Sequence, residues 1–237
     1  MPDITTVSEA STNQPTFFLE KHFKNAFEKI PAEKQKRIMD AAIAEFSAKG
    51  FIAANINIIA KNAGISIGSM YNYFDSKESL FLTIVDHGYA VLESVISSID
   101  LEQGNIFDKF EMLLRMAQKF SRKYSELNQI YLDLTSEGLS HLSKKLSKQV
   151  ESITADFYRI LMAEAKKDGM IATDLDEFVT SFCIDNLIVM LQFSYTSDYY
   201  RERMKIFAGE DALENDEKII QGVMRFIRGA LAPVNNF

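Results

Sequence analysis

The 237-residue chain has one cysteine, four prolines and ten glycines, and each scarcity excludes a class of architecture. Cys183 has no partner for an intramolecular disulfide, so a disulfide-stapled secreted domain is not expected; it reads as a small buried hydrophobe. Ligand spacing such as C-x-x-C or H-x-x-x-H is missing too, because His22, His87 and His141 lie in unrelated segments; no metal or other cofactor is expected. Average usage is roughly 7% glycine and 5% proline, about twice what this chain carries, so turn chemistry for hairpins is short and long helices are favoured. No apolar stretch reaches the roughly 18 to 20 residues that span a bilayer. The best, 182–193, is interrupted by Asp185 and Asn186. With no charged n-region leading into an apolar stretch at the start, a cytoplasmic location is expected.

What is present is 47% hydrophobic and 25% charged residues with a formal charge of −7, the profile of an ordinary globular protein. The charge is unevenly placed. Residues 21–77 hold nine Lys or Arg against five Asp or Glu, whereas 83–237 hold seventeen against twenty-four. The cations of the first part, Lys34, Lys36, Arg37, Lys49, Lys61 and Lys77, are interleaved with polar and aromatic residues. That pattern suits either a phosphate-contacting surface or a solvated helical face.

Along the chain, 1–30 reads as a partly flexible N-terminal arm, in which Phe17, Phe18, Phe23, Phe27 and Ile30 could form a short docking helix. Pro31 opens a first helix whose stripe of Ile38, Ala42 and Phe46, with Met39 and Ile43, runs until Gly50. A second short helix follows Asn55, with Ile56, Ile59, Ala60 and Ala63 apolar and Gly64 as its stop. A third starts after Ser66, an N-cap, and ends near Phe74. Asp75 and Glu78 then resemble a capping box for a longer helix. Further helices are predicted at 106–122, 127–137, 143–168, 175–196 and 216–230, with Asp174 and Glu177 as another capping box. Period-two alternation is nowhere sustained, so the fold class is all-α.

Two short helices meeting at a tight turn need a small residue where their axes approach and a glycine where the chain reverses, and Ala60 and Gly64 supply both. Ile56, Ile59, Ala63, Ile65, Met70 and Tyr73 would face the shared core. Ser66, Ile67, Gly68, Ser69, Tyr71 and Asn72 would then face outward as a narrow polar surface that fits a major groove.

These residues resemble the tetracycline-repressor (TetR) family of transcriptional regulators over 34–81, in the segments KQKRIMDAAIAEFSAKGF (34–51) and INIIAKNAGISIGSMYNYFDSKESLF (56–81). The resemblance implies a helix-turn-helix DNA-binding domain at 31–82 and a helical ligand-binding and dimerisation domain at 83–237. It implies phosphate contacts from Tyr71, Tyr73 and Lys77 and base proximity for Ser66, Ile67, Ser69 and Asn72, while Tyr73 could equally pack. Asn55 and Asn57 would face the backbone at the start of the second helix. The chain departs from the family where Ile67 replaces a common lysine and Asn55 a common threonine or serine. No Lys or Arg then occurs from Asn62 to Ser76, which predicts an A·T-leaning operator core read by Asn72 and Ile67.

By the same resemblance the chain pairs with itself through its late helices. The interface candidates are Phe178, Leu187, Met190, Leu191, Ile220, Val223, Met224 and Ile227; alternatively these stripes bury a monomer core. The implied partners are double-stranded operator DNA and a largely apolar small-molecule effector that releases it. Candidate pocket residues are Phe110, Met116, Phe120, Tyr131, Phe157, Met162, Phe182 and Phe193, each also a candidate for plain core. A helical interaction module that has lost DNA binding competes with this reading. Gly64-Ile65-Ser66-Ile67-Gly68 matches the G-x-S-x-G of a serine hydrolase, but a helix precedes it where that elbow needs a strand, so no enzyme is expected.

Overall fold

In the computed structural model of the chain, residues 21–97, 103–134 and 140–233 are described, the side chains at 95, 96, 140–150 and 153 excepted. The expected arm at 1–20 lies outside them. No strand occurs among the described residues, and the chain divides into two compact units, Met1–Ala90 and Val91–Phe237.

The first unit holds α1 (Asn25–Glu28), α2 (Ala32–Ala53), α3 (Ile56–Asn62), α4 (Ile67–Tyr73) and the start of α5 (Lys77–Ser97). The α2 stripe of Ile38, Ala42 and Phe46 is fully buried against Ile59, Met70, Phe74, Leu80, Phe81 and Ile84. A buried Phe or Ile of this kind contributes roughly 1.5 to 3 kcal/mol, far more than the propensity of helices as short as α3 and α4. α2 breaks at Gly50, whose φ of 68° few other residues adopt. That break turns Phe51 onto Phe81, with ring centroids 5.0 Å apart.

The second unit holds α6 (Ile106–Lys123), α7 (Ser125–Leu134), α8 (Ser140–Lys167), α9 (Glu177–Ser194), α10 (Asp198–Ala208) and α11 (Asp216–Leu231). α9 lies centrally, touching α6, α7, α8 and α10, while α6 packs on α11. Phe110, Leu114, Leu161, Met162 and Ile220 form the heart of this core. Two arginines of α6 pin the start of α11. Arg115 forks onto both oxygens of Glu217 at 2.8 and 2.9 Å, and Arg122 reaches Asp216 at 2.5 Å. The guanidinium holds Glu217 near a pKa of about 2, first by its hydrogen bonds.

Several sequence expectations need correction. α10 was not anticipated; it is charged and buries only Met204, so it shows little apolar period. Helix starts moved by up to three residues. Ser76, not Asp75, caps α5 by accepting from the Ser79 amide at 3.0 Å, and Asp75 instead pairs with Lys24 at 2.8 Å. Asp176, not Asp174, caps α9. Cys183, expected inside, is exposed. No single helix among the described residues is long and apolar enough to cross a membrane.

Candidate nucleic-acid interface and effector cavity

The turn between α3 and α4 is hydrogen-bonded at every step. Asn55 caps α3, its Oδ1 accepting from the Asn57 amide at 2.9 Å and from the Asn57 side chain at 3.2 Å. At the other end Gly64 (φ 69°) closes a Schellman motif, with its amide on the Lys61 carbonyl at 3.1 Å and the Ile65 amide on the Ala60 carbonyl at 3.0 Å. Ser66 then caps α4, its Oγ accepting from the Ser69 amide at 3.1 Å. This Oγ is committed to the cap between two helices, with no strand preceding it.

The α4 helix buries Met70 and Tyr73 and exposes Ser66, Ile67, Gly68, Tyr71 and Asn72, with Ser69 half-buried. Two candidates differ from the rest. Tyr73 is buried, its ring tilted against Phe27 at 6.0 Å and its hydroxyl accepting from Lys34 at 3.0 Å; of its two readings, packing is the one the geometry realises. Lys77 donates to the Ile52 and Ala54 carbonyls, both at 3.0 Å, and lies over the Phe51 ring, so its ammonium is held at the carbonyl end of α2. Lys36 is likewise paired, with Asp40 at 2.5 Å. Lys29, Arg37, Lys49 and Lys61 are exposed without an ion-pair partner among the described residues.

Sequence reasoning missed the brace behind α4. Lys24 donates its backbone amide to the Tyr73 carbonyl and its ammonium to the Tyr71 carbonyl, both at 2.8 Å, satisfying two orphan acceptors at the end of the helix. Phe27 packs beside it on Phe74 at 4.8 Å. The apolar spacing of Phe23, Phe27 and Ile30 signalled docking, but not the surface docked upon.

In the second unit a cavity of about 340 Å³ opens between α7, α8 and α9. Of the eight pocket candidates only Tyr131 and Phe182 line it. Phe110, Phe157, Met162 and Phe193 are buried core, and Phe120 is half-buried against Tyr124. Met116 borders a separate open depression with Arg115 and Lys119. The polar lining was not foreseen. Glu151 of α8 accepts from the Tyr131 hydroxyl at 3.0 Å, and Asp185 of α9 is pushed up to about 6, by burial and then by Glu151. Burial also raises the Tyr131 and Tyr158 hydroxyls, with the two carboxylates adding to it.

The interface candidates divide similarly. Leu191, Ile220, Met224 and Ile227 are buried in their own unit, and Leu187 and Val223 are half-buried against that core, as is Met190 in its own exposure. Phe178 and Phe182 are 65% and 69% exposed, and two neighbours in kind were overlooked: Val179 on α9 and Phe226 on α11. The apolar stripe read from the sequence faces the unit's core, and the exposed faces lie on the other side of the same helices.

Residues 38–84 match the family model of bacterial regulatory proteins, tetR family. An uncharacterised HTH-type transcriptional regulator of Bacillus subtilis (strain 168), YdgC, is 29% identical over 166 residues, covering 69% of this chain and 81% of the relative. IcaR of Staphylococcus aureus, negative regulator of the biofilm operon icaADBC, is 27% identical over 130 residues, covering 52% of this chain and 68% of its own. Among solved structures, a TetR family transcriptional regulator from Chloroflexus aurantiacus J-10-FL superposes with a TM-score of 0.68 at 19% identity, covering 88% of this chain and 98% of that one. AibR, solved with isovaleryl coenzyme A and operator DNA, superposes with a TM-score of 0.61 at 17% identity over 82% and 97% of the two chains. Residues 38–84, with the helix-turn-helix built by α3 and α4, are thus a domain of the tetR family of bacterial regulatory proteins, and the chain as a whole has the fold of TetR family transcriptional regulators.

Proposed function

We propose that the chain is a ligand-responsive repressor that binds a palindromic operator as a homodimer and leaves it when a small molecule occupies the second unit. The carrying observation is α4, braced at its end by Lys24 and offering Ser66, Ile67, Gly68, Tyr71 and Asn72 to the outside. A helix held in this way presents its first turns to base edges. Tyr71, Lys61, Asn55 and Asn57 contact phosphates at its margins, and Ser69 stands behind the reading face. The exposed face of α11 around Phe226 takes a second copy, which doubles the contacts and sets half-site spacing. That IcaR is a negative regulator supports repression, and that AibR carries a coenzyme A ester together with operator DNA supports effector control. Such a protein works in the cytoplasm, where the chromosome is.

The test is fluorescence anisotropy of the full chain on the promoter fragment beside its own gene, against an unrelated duplex. Selective binding that weakens by a factor of about 10³ or more between 50 and 200 mM salt is expected for six or more phosphate contacts. Equal affinity for both duplexes with a flat salt response would overturn the reading. It would favour the interaction module instead, which the missing cation between Asn62 and Ser76 also favours.

A further inference from the structure

We propose that the cavity between α7, α8 and α9 takes a monovalent organic cation, an amine or quaternary ammonium carried on an aromatic body. The inference rests on reading the second unit as the effector domain and adds the chemical class of the effector. Glu151 and Asp185 enter the cavity from different helices, and no Lys or Arg among the described residues is paired with either. Asp185 accepts no hydrogen bond among the described residues, and Glu151 has the Tyr131 hydroxyl alone. The one cation at the cavity wall among the described residues, Arg159, is bonded to Asp156 and lies over the Phe178 ring, 5.1 Å from its centroid.

A second observation is independent of the acids. Tyr158 is 3% exposed and lines the cavity, yet its hydroxyl has no hydrogen-bond partner among the described residues. The ring is buried while the hydroxyl stays accessible at the cavity, so it is open to a hydrogen bond from a ligand atom there. Two half-buried carboxylates with no ion-pair partner among the described residues are costly, and the cost is relieved when a cation enters. Phe178 and Phe182 form the apolar wall, where aromatic faces attract a weakly hydrated cation. A hydrated divalent metal fits poorly, since no group of three ligating side chains exists among the described residues. The volume is at the small end of ligand sites and suits a body of two fused rings.

The experiment is isothermal titration calorimetry of the full chain at pH 7.5 with one aromatic body in three charge states: naphthylmethyl-trimethylammonium, naphthylmethanol and naphthylacetate. The cation is expected to bind at least ten-fold tighter than the alcohol, and the anion weakest. Glu151→Gln and Asp185→Asn should each weaken the cation ten-fold or more, with circular dichroism confirming native helix content. The charge series on the unaltered chain decides the matter even if a variant fails to fold. Tighter binding of the alcohol or the anion, or no binding by any of the three, overturns the proposal. Anisotropy on the promoter duplex in the same samples separates the two readings. If the cation binds and the DNA stays bound, effector release fails and the cavity assignment stands. If the anion binds and the DNA leaves, release stands and the cavity assignment falls.

Discussion

At the scale of single residues, Gly68 and Asp185 make the sharpest statements. A Cβ built on Gly68 would meet nothing closer than the Ser66 Oγ at 3.9 Å, so nothing in the chain itself requires glycine there. Gly68→Ala should therefore stabilise α4 by about 0.5 to 1 kcal/mol while lowering promoter affinity several-fold. Thermal unfolding and anisotropy on one sample check both halves, and an alanine without effect on binding would remove position 68 from the DNA face. Asp185 ionises near 6 in the folded chain against an ordinary 3.8. A carboxyl raised in this way favours the fold at low pH and loses that contribution as pH climbs through about 6. Asp185→Asn should accordingly raise stability by on the order of 1 to 2 kcal/mol at pH 7.5 and leave it unchanged below pH 4. A melting series across pH checks this. Cation binding to the unaltered cavity should weaken from pH 7 to pH 5 for the same reason, Glu151, Arg159, Tyr131 and Tyr158 being the other titratable groups that face Asp185.

At the scale of elements, periodicity marked where helices are and caps marked where they begin, but with unequal fidelity. The stripe of Ile38, Ala42 and Phe46 was legible because a helix against a core repeats its apolar face every turn. α10 was not, because an element that buries one residue leaves no such repeat. Starts slipped where two candidate caps stood close together, as with Asp75 and Ser76, since the choice depends on which side chain the tertiary setting leaves free. The brace on α4 was invisible for a related reason, joining Lys24 to Tyr71 across 47 residues. Lys24→Ala should loosen the end of α4 by about 1 kcal/mol, read as faster amide hydrogen exchange at 70–74 with little change elsewhere. Uniformly faster exchange throughout the first unit would mean that Lys24 supports the whole unit and not α4 in particular.

At the scale of the whole molecule, self-association turns on exposed faces. Phe226 is 64% exposed on α11, with Gly222 and Gly229 exposed one turn to either side, a surface that lets another helix approach closely. Phe226→Asp should convert a dimer to the 26.9 kDa monomer in light scattering and abolish tight operator binding. A variant that stays dimeric would place the interface elsewhere. The sequence by itself determined the all-α class, the helix-turn-helix and its outward face, because those depend on contacts between residues a few positions apart, whose spacing the chain carries openly. Only the tertiary structure decided that Tyr73 packs, that Lys77 is held by backbone carbonyls, that the late stripes bury inward, and that Glu151, Tyr158 and Asp185 share one cavity. Those outcomes join residues far apart in the chain, and an amphipathic pattern tells which face is apolar without telling what will lie against it.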